Sequence, residues 1–324
     1  MKSVLVLLSV AGVLSLEAPR CDPGFVAIPA NFESFTCVSR GRLERMKQTK
    51  FVTDAGTRFL LWTQQTKAGE REELRLDDLN ALKNTTFNAR NPTRILIHGW
   101  LSDWTVESVD GLAKAYIAKG AYNVIGVDWS AAASTIFYPL ARMQVGAVAE
   151  TVAKQISLFL RAGQKPAQIV IIGHSLGAHV AGMTGKHFPN IPKLAAVVGL
   201  DPAGPLFSEN RPSERLDLLD AEYVEVIHTN LGWLGYHAVL GQADFFPNGG
   251  YSQAGCVTHT CDHQRSVEYF RMSLESTQPL YVGRRCETKL INDACDGALA
   301  VMGSDPDERF KLKTSGVFYL QISN

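Results

Sequence analysis

Ser175 stands between two glycines, in Gly173-His174-Ser175-Leu176-Gly177, straight after the apolar run 168–172 and straight before a helix-like segment. A serine so placed, on a strand-to-helix turn with small residues on both sides, is the setting of an exposed nucleophile. A serine hydroxyl is a poor nucleophile unless a base takes its proton and an acid orients that base. On a sheet of this kind the acid follows the serine in the chain, at the end of a later strand, and the base comes last. Asp201 fits the acid: it closes the apolar run 195–200, and Pro202 ends the ladder after it. Asp128 also ends a strand-like run but precedes Ser175, and reads as structural. The base lies among His228, His237, His259 and His263. His263 has the best setting, beside Cys261 and at the opening of a helix, but spacing alone leaves the choice open. An acyl-transfer site also needs amides aimed at the developing oxyanion. The residue after the nucleophile, Leu176, supplies one, and Trp100, after the Gly99 turn in Ile97-His98-Gly99-Trp100, supplies the other.

These residues need a scaffold that brings strand ends together. Strand-like runs at 58–63, 94–98, 123–128, 167–172, 195–200 and 223–229 alternate with helix-like segments at 106–119, 140–161 and 177–187. The longest segment carries Val145, Val148, Val152, Ile156 and Leu160 at helical spacing. The pattern predicts an α/β fold with a mostly parallel central sheet and helices on both faces. Residues 19–50 read as irregular, 202–222 and 241–262 as long loops, 266–274 as a helix, and 311–314 with 317–322 as a hairpin around Ser315-Gly316.

The chain has 324 residues, 46% hydrophobic and 20% charged, with a formal net charge of zero. It reads as one domain from residue 19 to 324, and no overall field favours nucleic acid as a partner. Lys2 followed by the apolar stretch 4–16, with small residues at Ser15 and Ala18, predicts a secretory signal over 1–18. No other run is long enough for a transmembrane segment. A secreted, extracellular setting makes disulfides the expectation for six cysteines. They fall as near neighbours, and local pairing is expected: Cys21 with Cys37, Cys256 with Cys261, Cys286 with Cys295. Asn84-Thr85-Thr86 matches a glycosylation acceptor. The spacing of Cys256, His259, Cys261 and His263 is also loosely that of a zinc site. The disulfide reading is preferred, and serine chemistry requires neither metal nor another cofactor.

Taken together, IHGW (97–100), GVDW (126–129), GHSLGAH (173–179), GLDPAGP (199–205), VIHT (226–229), ADFFPNGG (243–250) and CDHQRSVEYF (261–270) resemble the secreted lipases of the pancreatic lipase family. The resemblance implies an α/β-hydrolase fold. It implies Ser175 as nucleophile, Asp201 as acid, His263 as base, and Trp100 and Leu176 as oxyanion donors.

Two departures narrow what it implies. The chain stops after 317–322, without the C-terminal β-sandwich of the pancreatic enzymes, so colipase is not expected as a partner. Cys256 and Cys261 enclose only four residues, where triacylglycerol lipases carry a long helical lid. A loop that small is not expected to hold a helix, and the segment 230–242 is short as well. Both truncations resemble the phospholipase A1 subgroup, insect venom enzymes included, and lidless insect gut lipases. The expectation is an open cleft cleaving the sn-1 ester of glycerophospholipids at a membrane or micelle surface. A neutral triacylglycerol or galactolipid lipase with the same site is the nearest alternative. A non-catalytic lipid-binding homologue is the alternative of a different class. Trp233, Leu234 and Tyr236 are candidates for an apolar rim dipping into lipid.

Overall fold

The computed structural model describes residues 20–47, 56–67, 69–189, 193–287, 291–306 and 314–323. The leader expected over 1–18 lies outside them. The strands are β1 (Phe25–Asn31), β2 (Ser34–Ser39), β3 (Arg58–Trp62), β4 (Glu72–Leu74), β5 (Thr93–Ile97), β6 (Asn123–Asp128) and β7 (Ile169–His174), of which β3, β5, β6 and β7 are built on apolar runs. They continue as β8 (Ala196–Leu200), β9 (Tyr223–Ile227), β10 (Ala243–Pro247), β11 (Tyr281–Arg285), β12 (Leu299–Met302) and β13 (Gly316–Leu320). The helices are α1 (Arg40–Lys47), α2 (Leu79–Lys83), α3 (Leu112–Lys119), α4 (Ser130–Ala133), α5 (Tyr138–Arg161), α6 (Leu176–Gly185) and α7 (His259–Glu275).

β1 and β2 make a separate hairpin, and the other strands form one sheet in the order β12-β11-β13-β10-β9-β8-β7-β5-β6-β3-β4. Its centre, from β13 through β10, β9, β8, β7 and β5 to β6, is parallel, with antiparallel pairs added at each edge. The period-2 alternation divides the core. Ile95, Ile97, Ile169, Ile171 and Val197 face one side, beneath Val145, Val152 and Ile156 of α5 and Val180 of α6. Leu96, Val170, Ile172 and Val198 face the other, beneath Leu112 and Tyr116 of α3 and Val267 and Phe270 of α7. The expected stripe of α5 is buried at Val145, Val148, Val152 and Ile156. This is the α/β-hydrolase arrangement, and it turns the C-terminal ends of β5, β7 and β8 toward one edge, where ligands bind in open parallel sheets.

Two expectations need correction. The stretch 19–50, read as irregular, contains the β1–β2 hairpin and α1. Its alternating apolar residues are few, because only Ile28, Pro29 and Val38 turn inward. The loop expected over 241–262 contains β10 and the start of α7. The second strand of the hairpin expected at 311–322 is β13, flanked by β10, parallel, and by β11, antiparallel; its first strand was expected over 311–314. Of those, 311–313 lie outside the described residues.

Candidate active site

The turn at Ser175 is held by backbone contacts that only glycine permits. A Cβ on Gly173 would lie 2.1 Å from the Gly177 carbonyl oxygen, and one on Gly177 would lie 2.3 Å from that of Ile97. Ser175 itself takes φ 58° and ψ −123°, a region costly for a residue with a side chain. The Ser175 N–H donates to the Leu200 carbonyl at 3.0 Å, and its own carbonyl accepts from the N–H of Ala178 at 3.1 Å and of Ala203 at 3.2 Å. The strained residue is thereby tied to its own helix and to the loop that carries Asp201. Leu176 opens α6, so its N–H has no partner one turn back and stands at the positive end of the helix dipole.

The end of β5 is pressed against the same residue. A Cβ on Gly99 would sit 2.7 Å from the Ser175 Cβ and 3.2 Å from its Oγ. His98 fixes the peptide that follows. Its Nε2 accepts from the Trp129 N–H at 3.1 Å, so Nδ1 carries the proton and donates to the Gly99 carbonyl at 2.9 Å. In a trans peptide the N–H opposes the C=O, so the Trp100 N–H points away from His98. The Trp100 ring is buried, and its Nε1 donates to the Thr135 carbonyl at 2.6 Å.

Asp201 follows β8 with φ 40° and is fully buried. Its Oδ1 accepts the backbone N–H of Thr229 at 2.8 Å and of Asn230 at 3.1 Å. Its Oδ2 accepts from His263 Nδ1 at 2.5 Å. A Cβ on Gly235 would lie 2.6 Å from Asp201 Oδ1, so the loop after β9 must carry glycine there. His263 is only 1% exposed. With Nδ1 donating, Nε2 is the nitrogen with a free lone pair. The His263 carbonyl accepts from His174 Nε2 at 3.1 Å, and the two rings lie 4.5 Å apart, which sets the imidazole beside the residue preceding Ser175. Burial pushes the pKa of His174 well below the ordinary histidine range, so it acts as a neutral brace.

The other candidates for the base are engaged elsewhere. His228 pairs with Asp244 at 2.8 Å and stacks on Phe246. His237 pairs with Glu209 at 2.7 Å on the exposed surface. His259 meets Asn230 Nδ2 at 3.2 Å and stacks on Trp233. Asp128 accepts from the Ser130 N–H at 3.1 Å and lies 3.6 Å from His98 Nε2, behind the end of β5.

His263 does not lie in a loop ahead of a helix, as read from the sequence. It lies inside α7, which begins at His259, with Thr258 as N-cap accepting from the Cys261 N–H at 3.2 Å. Of the four residues between Cys256 and Cys261, Thr258 caps α7 and only His259 and Thr260 belong to it, so the loop encloses no full helical turn, as expected. Cys256 is bonded to Cys261, Cys21 to Cys37 and Cys286 to Cys295, so the sulfurs of the zinc reading are already joined to each other. Asn84 is exposed at the C-terminal end of α2. The expected rim packs inward: Leu234 and Tyr236 are buried, and Trp233 lies between Phe35 and His259. Leu101, Ile136 and Val257, chain neighbours of Trp100, Thr135 and Thr258, are exposed, Val257 to 97%. Sequence reading missed Asn230, Gly235 and His174 as parts of this site. Their signal lay in the motifs around 226–229 and 173–179, but no spacing says which neighbour a loop amide will meet.

The sequence model of the lipase family matches residues 30–323. The chain is 38% identical over 252 residues to lipase member H of Mus musculus, covering 74% of this chain and 53% of that protein. It is 39% identical over 194 residues to a phospholipase A1 of Vespa crabro, covering 55% of this chain and 64% of that one. It is 35% identical over 238 residues to phospholipase A1 member A of Mus musculus, covering 70% and 51%. The chain spans about half the length of the mouse relatives it matches.

Proposed function

This chain belongs to the lipase family, and from that premise we propose that it is a secreted, phospholipase A1-like carboxylic ester hydrolase working through Ser175, His263 and Asp201. The observation that carries the reading is the buried Asp201–His263 hydrogen bond of 2.5 Å beside a serine held at positive φ on a glycine-bounded elbow. His263 Nε2 takes the Ser175 proton as Oγ attacks the ester carbonyl. The negative oxygen is received by the N–H groups of Leu176 and Trp100, and Asp201 stabilises the imidazolium. His263 then returns the proton to the departing alcohol oxygen. A water molecule, deprotonated by the same nitrogen, attacks the acyl-enzyme and releases the fatty acid. No metal enters any of these steps.

A phospholipid sn-1 ester is the preferred substrate because the Cys256–Cys261 loop is too small to cover the cleft and leaves room for a head group. Relatives with the phospholipase A1 name support the same choice. Leu101, Ile136 and Val257 give a local apolar rim for a lipid surface on a chain without net charge. Three disulfides and the apolar leader favour secretion, and no described helix is long and apolar enough to cross a membrane. The exposed Asn84 is the proposed glycosylation site.

Two measurements test this. Ser175→Ala should abolish hydrolysis, with a loss of about a million-fold, and should stop labelling by a fluorophosphonate. Substantial residual turnover would sink the assignment. Mixed-chain phosphatidylcholine should release the sn-1 acid. Triolein or a galactolipid cleaved in preference would establish the neutral lipase instead, and an unlabelled Ser175 in the native protein would point to a lipid carrier.

A further inference from the structure

The β1–β2 hairpin, from the opposite end of the chain, docks on the start of α7 inside the short cysteine loop. The Phe32 ring meets Trp100 edge-on at 5.4 Å, and Trp100 meets Tyr138 in the same way at 5.3 Å. The three rings pack edge to edge, with Trp100 and Tyr138 buried and Phe32 partly exposed at the end of the row. On the other side of the tip, the Glu33 carboxylate accepts the N–H of His259 at 3.0 Å and of Thr260 at 2.7 Å, together with the Thr260 hydroxyl. These N–H groups open α7, the helix that carries His263, and would otherwise lack partners. Trp233 closes the join. Its ring stacks on His259 at 4.0 Å, meets Phe35 at 5.0 Å, and its Nε1 reaches the Phe32 carbonyl at 3.4 Å. Asn31 Oδ1 accepts from the Glu33 N–H at 2.9 Å and shapes the tip, while Cys21–Cys37 closes the base of the hairpin.

We propose that this hairpin tip is a fixed rim of the acyl-binding cleft, with Phe32 setting the preference for acyl-chain length and Glu33 positioning the tip on α7. The inference rests on the ester-hydrolase reading above. Once the ester oxygen is held at the Trp100 amide, the first carbons of the acyl chain lie beside the Trp100 ring. A longer chain then continues past this row of rings toward Phe32, the partly exposed one. A short acyl group stops before it. Glu33 touches no substrate; it acts by holding Phe32 in place.

The test compares kcat and KM on p-nitrophenyl butyrate and palmitate, with Ser175 counted by fluorophosphonate labelling. Phe32→Ala should raise KM for palmitate about tenfold, the scale of a lost apolar contact in a pocket, with a much smaller change for butyrate and little change in kcat. Glu33→Ala should move the same ratio in the same direction, and Glu33→Gln, which keeps one acceptor oxygen, should restore part of it. Should Phe32→Ala fail to fold, Phe32→Leu keeps the apolar bulk and should give a smaller shift of the same sign. Equal losses on both esters, or an unchanged ratio, would overturn the inference while leaving the hydrolase reading intact. A native protein that cleaves neither ester would overturn the hydrolase reading itself and this rim with it.

Discussion

The two halves of the proposed catalytic cluster are held by different means. The nucleophile half comprises 97–100 and 173–177, two short segments in adjacent strands, and backbone packed on backbone fixes it. The acid–base half draws on Asp201, Thr229, Asn230, Gly235, His259 and His263, with Glu33 from the far end of the chain, and hydrogen bonds between distant segments fix it. A steric half fails by failing to fold. A hydrogen-bonded half can lose its chemistry while the fold survives.

The sharpest test of the second statement is Asp201→Asn. The amide keeps the size of the carboxylate but cannot stabilise the imidazolium, and it favours the wrong tautomer of His263. Turnover should fall about ten-thousand-fold, with the denaturant midpoint little moved. A collapse of the fold at this substitution would show that the buried Asp201 is a stability element first.

Two glycines then separate the halves directly. Gly177→Ala puts a methyl group 2.3 Å from the Ile97 oxygen and 2.5 Å from the His98 oxygen, with main chain on both sides and no room to yield. It should cost about 3 kcal/mol or more in urea unfolding. Gly235→Ala puts a methyl group 2.6 Å from Asp201 Oδ1 and 2.8 Å from the Asn230 carbonyl oxygen. Displacing the carboxylate by part of an ångström should lower kcat about a hundredfold, for a smaller change in stability. The reverse pattern, an active but unstable Gly235→Ala beside a stable, inactive Gly177→Ala, would break the comparison.

The same division explains what the sequence made legible. Ser175, Gly173, Gly177, Gly99 and Trp100 sit in contiguous motifs, where a steric requirement leaves its mark on neighbouring residues. Asp201 was legible because it ends an apolar run. Spacing left His263 one of four histidines; the CDHQRSVEYF resemblance singled it out, and the structure sets it against Asp201. Contacts such as Glu33 with Thr260 or Gly235 with Asp201 leave no periodicity in the chain. β10 escaped notice because Ala243–Pro247 is short and ends in a proline, and β1–β2 because most of its residues face outward. The apolar rim was misassigned for a related reason. Composition marks Trp233, Leu234 and Tyr236 as sticky, but does not say that Phe35 and His259 already cover Trp233.

The join between the halves gives the smallest effect. His179 of α6 reaches from the nucleophile half into the loop after Asp201. Its Nε2–H donates to the Ala203 carbonyl at 2.7 Å, its Nδ1 accepts the Leu216 N–H at 3.1 Å, and its ring stacks on Phe207 at 3.7 Å. A proton on Nδ1 would remove the acceptor, and burial pushes the pKa down to about 3. Above the ordinary histidine value both folded and unfolded chains are neutral here, and pH does nothing through this residue. Below it the unfolded chain gains a proton that the folded chain refuses, so stability falls as pH drops from 6.5 toward 3. Asp220 and Asp262, raised to about 6 by burial, act in the opposite sense between their ordinary 3.8 and that value. They are present in any His179 variant, so they cancel in the difference. His179→Gln should therefore be less stable than the native chain at neutral pH but lose less stability on acidification, by about 1 kcal/mol per pH unit. Urea midpoints for both proteins across this range measure the two slopes. Parallel slopes would mean that His179 takes up its proton as readily in the folded chain, and that the join between the halves does not depend on its neutral form.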